Sequence, residues 1–196
     1  MIRLPLATLT SACVASLLVV ATAANAQTAP APAPTTAAPA TAAADATRLH
    51  AADQTFIADG TKAVATQRDA ARIATARSSD RDVKAFAERI AADNAKISDA
   101  LRAASPRGVD VPKNDPDTAV LASINNLRGA EFDKAYIEQV ALAGQQKALS
   151  AFQAEIAAGR DEQLKAVAKK SLPIIQEHYA MAQALAKRKH LSVAAQ

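Results

Sequence analysis

The stretch SDRDVKAFAERIAADNAKISDAL, residues 79–101, decides the fold. Its apolar residues Val83, Phe86, Ile90, Ile97 and Leu101 recur at steps of three, four, seven and four, which places them on one face of a helix. Asn94 fills the step of seven and so lies inside the apolar stripe. An amide buried without a partner costs about 1–3 kcal/mol. This helix must therefore meet polar groups of its neighbours at mid-length.

Upstream, Asp53 to Ala76 reads as a first helix, with Ile57, Gly60, Val64, Ala71 and Ala74 on one face and Gln67 in the same stripe. Gly60 costs up to about 1 kcal/mol relative to alanine there, and a close helix crossing is the expected reason. Ser79 is the expected cap of the second helix. Downstream, SPRGVDVPKNDP (residues 105–116) is a turn-rich loop, followed by a short helix from Thr118 to Leu127.

A long helix is expected from Ala130 to Ala158, with Gly159 as its C-cap. Its first half puts Phe132, Tyr136 and Val140 on one face, expected to pack beneath the crossover segment. Its second half puts Leu142, Leu149, Phe152 and Ile156 on another, with Gln145 among them and Gly144 at the switch. The last helix, Asp161 to Lys189, presents Leu164, Val167, Ser171, Ile175, His178, Ala182 and Leu185, and Pro173 should kink it. Short turns join the first and the last pair, and about two dozen residues join the pairs. This is an all-α fold of ferritin-like type, a four-helix bundle with one long crossover carrying a short extra helix.

The N-terminus reads as a processing signal. Met1-Ile2-Arg3 is followed by an apolar run from Leu4 to Ala23 and by Ala24-Asn25-Ala26, so residues 1–26 are an expected cleavable signal peptide. Cys13, the sole cysteine, lies within it. A lipoprotein reading fails because Thr10 stands where an aliphatic residue is needed. Residues 27–46, QTAPAPAPTTAAPATAAADA, lack large apolar side chains and form an expected disordered tether. The folded domain is expected over 47–190, and 191–196 form a flexible tail. Export places the expected site of action in the periplasm, with no transmembrane span in the mature chain.

The full chain carries a formal charge of +4, and loss of Arg3 leaves the mature chain only slightly less basic. That balance is too small and too dispersed to point to nucleic acid. Lys165, Lys169 and Lys170 read as a solvated face, and His50 and His190 as solvated side chains. No serine sits on a nucleophile turn and no glycine-rich phosphate loop occurs.

Gln67, Asn94, Gln145 and His178 each fall near the middle of a long helix on its apolar face, and are expected to form one buried polar layer. His178 reads as a hydrogen-bonded core histidine, with Asn94 and Gln67 as its partners or as register-setting groups. No Glu-x-x-His pair occurs, and one imidazole with three amides lacks the anionic oxygens of a di-iron centre. Asp69 and Asp93 flank the layer and, with His178, are the weak candidates for a single metal. No cofactor is expected.

Three stretches carry a family resemblance: DRDVKAFAERIAADN at 80–94, GAEFDKAYIEQV at 129–140 and SLPIIQEHYAMAQAL at 171–185. With their FD-x-x-Y and LP-x-x-x-x-H patterns, they make the domain resemble an exported bacterial ferritin-like family of unknown function, whose members are often labelled predicted outer membrane proteins. The resemblance spans roughly Ala52 to Leu185. It implies histidines where this chain has Asn94 and Gly144 or Gln145, and glutamate near Gln67 and Asp69. Only His178 is kept. The expected function is a non-catalytic structural or interaction module of the bacterial envelope with protein partners there, linked to stress through the resemblance alone. The alternative is a metal-binding or oxidative-stress protein with a degenerate ferritin-like site.

Overall fold

In the computed structural model, the described residues are 49–112 and 114–191. The expected signal peptide (1–26), the tether (27–46) and most of the expected tail lie outside them. The described chain is all α, five helices packed as a bundle, four long and one short.

Rod 1 comprises α1 (Ala51–Thr55), a π-turn at Phe56–Gly60 and α2 (Thr61–Arg77), with helical backbone throughout. Rod 2 is α3 (Arg81–Ala103). The short α4 (Thr118–Asn125) lies in the crossover. Rod 3 comprises α5 (Gly129–Ala135), a second π-turn at Tyr136–Leu142 and α6 (Ala143–Ala158). Rod 4 is α7 (Glu162–Arg188), unbroken through Pro173.

Aspartates set the starts. Asp80, not Ser79, caps α3, its Oδ1 accepting the amides of Asp82 and Val83 at 2.9 and 3.1 Å. Asp117 and Asp161 cap α4 and α7 in the same way. Carboxylates are favoured there because free N–H groups and the positive end of the helix dipole coincide. His50 is not a free side chain: its Nδ1 accepts the Ala52 amide and caps α1.

The stripe of α3 is buried as its spacing demands, with Val83 and Ile90 fully so. Apolar side chains collect in two clusters. The first joins the end of rod 1 (Ala70, Ala74), the start of rod 2 (Val83, Phe86), the start of rod 3 (Phe132, Tyr136) and the end of rod 4 (Ala182, Leu185). The second joins the opposite ends, with Phe56, Leu101, Phe152 and Leu164. Rods 1 and 4 therefore run one way and rods 2 and 3 the other. The crossover carries the chain from the second cluster, at Val111, to the first, at Ile124, beneath which the start of rod 3 packs as expected. It is fastened along rod 1, where Thr66 Oγ1 accepts the Asp117 amide at 2.7 Å.

The π-turns explain two glycines. A π-turn inserts an extra residue and rotates the following face, which is why the apolar stripe of rod 3 changes sides before Gly144. Gly60 closes the first π-turn. A Cβ there would stand 2.8 Å from the Phe56 ring, so the reason is local crowding by Phe56, not the expected helix crossing.

The last basic residues are engaged in ion pairs. Lys189 pairs with Asp80 and Asp82, and Arg188 with Asp82, tying the end of rod 4 to the start of rod 2. The Asp80 carboxyl is held below its usual value by the Lys189 hydrogen bond. Among the described residues no helix is long and apolar enough to cross a membrane.

Candidate functional site

Gln67, Asn94, Gln145 and His178 are each at most 2% exposed. They lie at the level between the two apolar clusters. Within it Gln67 pairs with Gln145, His178 pairs with Asp93, and Asn94 joins neither pair.

The first pair bridges rods 1 and 3. Gln145 Nε2 donates to Gln67 Oε1 at 3.3 Å, and Gln67 Nε2 donates to the Val140 carbonyl at 2.7 Å. Val140 lies in the second π-turn, where carbonyls leave the regular i→i−4 ladder and are free to accept from a side chain. Gly144 makes room for this contact, since a Cβ there would overlap the Gln67 amide nitrogen. Gly144→Ala is expected to lower stability by about 2 kcal/mol, because a buried, doubly bonded amide must move. That loss is net of the roughly 1 kcal/mol that alanine's better helix propensity returns. Urea unfolding measures it; an unchanged midpoint would mean that Gln67 swings clear without loss.

The second pair bridges rods 2 and 4. His178 is fully buried and its Nε2 stands 3.2 Å from Asp93 Oδ2. Asn94 and Gln67 are not its partners. Burial alone would raise the Asp93 carboxyl, but hydrogen bonds from Arg89, His178 and Lys96 outweigh it and hold the group below the ordinary aspartate value. An ionised carboxylate only accepts, so Nε2 carries the hydrogen. Burial holds His178 below the usual histidine value despite the carboxylate beside it. The ring is then neutral, and Nδ1 is a lone-pair acceptor without a partner in its buried setting. Asn94 Nδ2 is likewise unpartnered.

Asp69 is not drawn into this layer. It is bonded within rod 1, to Arg68 Nε at 2.9 Å and to Arg72 at 3.4 Å. Glu177, next to His178 in sequence, is half-exposed and pairs with Arg89 at 3.4 Å. Among the described residues no three His, Cys, Asp or Glu side chains converge where they could hold a metal ion. The donors at this level do not fit a two-metal centre. Asp93 is already shared by Arg89, Lys96 and His178, His178 offers a single free nitrogen, and the remaining donors are neutral amides.

Two features escaped the sequence reading. One is a groove of about 790 Å³ between the two π-bearing rods, walled by Phe56, Ala63, Val120, Val140, Ala151 and Ala154 and reached by Gln67. That is within the usual size range of small-molecule sites. Neither His178 nor Asp93 lines it. The other is a buried acid pair at one end of that groove. Asp53 on α1 and Glu155 on α6 are each 1% exposed. Asp53 Oδ1 accepts the amides of Arg160 and Asp161 at 2.8 and 3.0 Å. Burial first, and then the neighbouring Asp53 and Asp161, push the Glu155 carboxyl up to about 7, while Lys165 acts in the opposite direction. One sign was present in the sequence: Glu155 stands three residues after Phe152 and one before Ile156, at the margin of the apolar stripe.

A family profile described as a domain of unknown function (DUF4142) matches residues 38–185. No curated protein and no solved structure matches the chain. The three stretches that carry the resemblance at 80–94, 129–140 and 171–185 all fall inside the matched span. With well over half of its residues in that match, the chain belongs to the DUF4142 family, a domain of unknown function.

Proposed function

We propose that the protein is an exported, non-catalytic module of the bacterial envelope, built as a ferritin-like four-helix bundle and working through protein partners in the periplasm, with a part in envelope stress. The ferritin-like reading is supported by four long helices, by the rod directions, and by the single crossover that returns the chain along the bundle. Export is supported by the signal-like residues 1–26. The stress role rests on the family resemblance alone.

The observation that carries the non-catalytic reading is the mutual pairing of the mid-bundle groups. Gln67 is spent on Gln145 and Val140, and Asp93 on Arg89, Lys96 and His178. Groups locked to one another set the register of four rods and are not poised for a substrate. The second reading, a metal-binding or oxidative-stress protein with a degenerate ferritin-like site, is favoured by one observation, the free lone pair of His178 Nδ1.

Metal analysis of the mature protein purified without chelator, beside His178→Ala, separates the two. The structural reading expects well under one equivalent in both. Stoichiometric metal in the wild type that vanishes in the variant would overturn it.

A further inference from the structure

We propose that α1 is a proton-controlled latch: at the turn between rods 3 and 4 a protonated Glu155 carboxyl donates to Asp53, and loss of that proton releases α1 and opens the end of the groove. The geometry begins with burial. Both carboxyl groups are almost wholly inside, and neither oxygen of Glu155 has a donor partner. Asp53 is compensated by the backbone amides of Arg160 and Asp161. An ionised Glu155 beside it would have nothing equivalent. A proton held between the two carboxyls supplies what is missing, because a protonated Glu155 donates to Asp53.

The turn is shaped for this arrangement. Gly159 leaves the space that the Glu155 carboxyl fills; a Cβ there would overlap it. The charged groups around Glu155 are Asp53 on rod 1, and Asp161 and Lys165 at the start of rod 4. Two of the three are anions, so deprotonation leaves a cluster of three carboxylates against one lysine. The carboxyl is pushed up to about 7, which places that event near neutrality.

The fold also provides a part that moves. α1 is the first five residues of rod 1, and helix ends fray more readily than their interiors. The π-turn at Phe56–Gly60 follows it and supplies an irregular joint. Ala51, Ala52 and Thr55 form one wall of the groove's end, and Ala154, Glu155 and Ala158 the other. Freeing α1 therefore widens access to the apolar interior of the groove, with one proton passing to solvent for each opening.

The test is amide hydrogen exchange by NMR on the mature protein from pH 5.5 to 8.5, corrected for intrinsic exchange rates. Protection of the Arg160 and Asp161 amides, which bond to Asp53, should fall at least tenfold across pH 7 in the wild type. In Glu155→Gln, whose amide donates to Asp53 at every pH, it should stay flat. Wild-type protection that is constant to pH 8.5, or that falls equally in Glu155→Gln, would overturn the latch. A carbon-detected titration of the wild-type Glu155 carboxyl needs no variant. A midpoint near 7 is expected, and one near the ordinary glutamate value would overturn it.

Discussion

Phe152→Ala is expected to lower stability by about 4 kcal/mol, a large part of the 5–15 kcal/mol typical of a whole domain. Phe152 is fully buried and packs edge-on against Phe56, with ring centroids 5.0 Å apart and planes at 87°. The surrounding second cluster includes Leu149, Leu164, Ala168 and Ile175, all carried on long helices that cannot collapse far into a void. The loss therefore combines the transfer term, the cavity term and an aromatic pair worth about 0.5–1.5 kcal/mol. Urea unfolding of Phe152→Ala, Phe56→Ala and the double variant isolates the pair. A lowered midpoint with an unchanged slope is expected, together with a double-variant loss smaller than the sum of the two. A single-variant loss under about 1 kcal/mol would mean that the rods close over the cavity.

His178→Ala should cost about 3 kcal/mol, through the cavity left by a fully buried ring and the loss of its hydrogen bond to Asp93. The carboxylate is not stranded, because Arg89 and Lys96 still reach it. His178→Leu fills the space and removes the unpartnered Nδ1, so it should recover most of the loss. The pH dependence provides a second check. Burial holds His178 below its ordinary value of 6.5, so the unfolded chain takes up the proton first as pH falls. The stability contributed by the neutral ring is thus present above about 6.5 and drains away as pH drops toward the folded-state value. His178→Leu should lack that part of the acid-side loss. Full-size losses in both variants, with an unaltered pH profile, would count against a core role for the imidazole.

The helices were legible because their signals are local: apolar periodicity, the turn-rich break at residues 105–116 and a glycine at the end of rod 3. The mid-bundle residues were legible for the same reason. Gln67, Asn94, Gln145 and His178 interrupt apolar stripes, and a polar interruption of a buried face can be seen without a structure. Their partners could not be seen, because the choice between Asn94 and Asp93 for His178 depends on how two rods are rotated about their axes. Asp69 looked as well placed as Asp93, yet it is engaged by arginines on its own rod. The π-turns left a trace in the switch of faces before Gly144, but a hydrogen-bond register has no composition of its own. The acid pair joins residues about a hundred positions apart, and such a pairing exists only once the chain is closed.

The polar level between the clusters also bears on how this sequence can change over time. Apolar packing is confined to one half of the bundle or the other. A substitution near Phe86 and one near Phe152 share no neighbours, and changes at such separated sites combine nearly additively. Each half can thus drift through its own series of side-chain exchanges without waiting for compensation in the other, provided the glutamines and the His–Asp pair keep the rods in step.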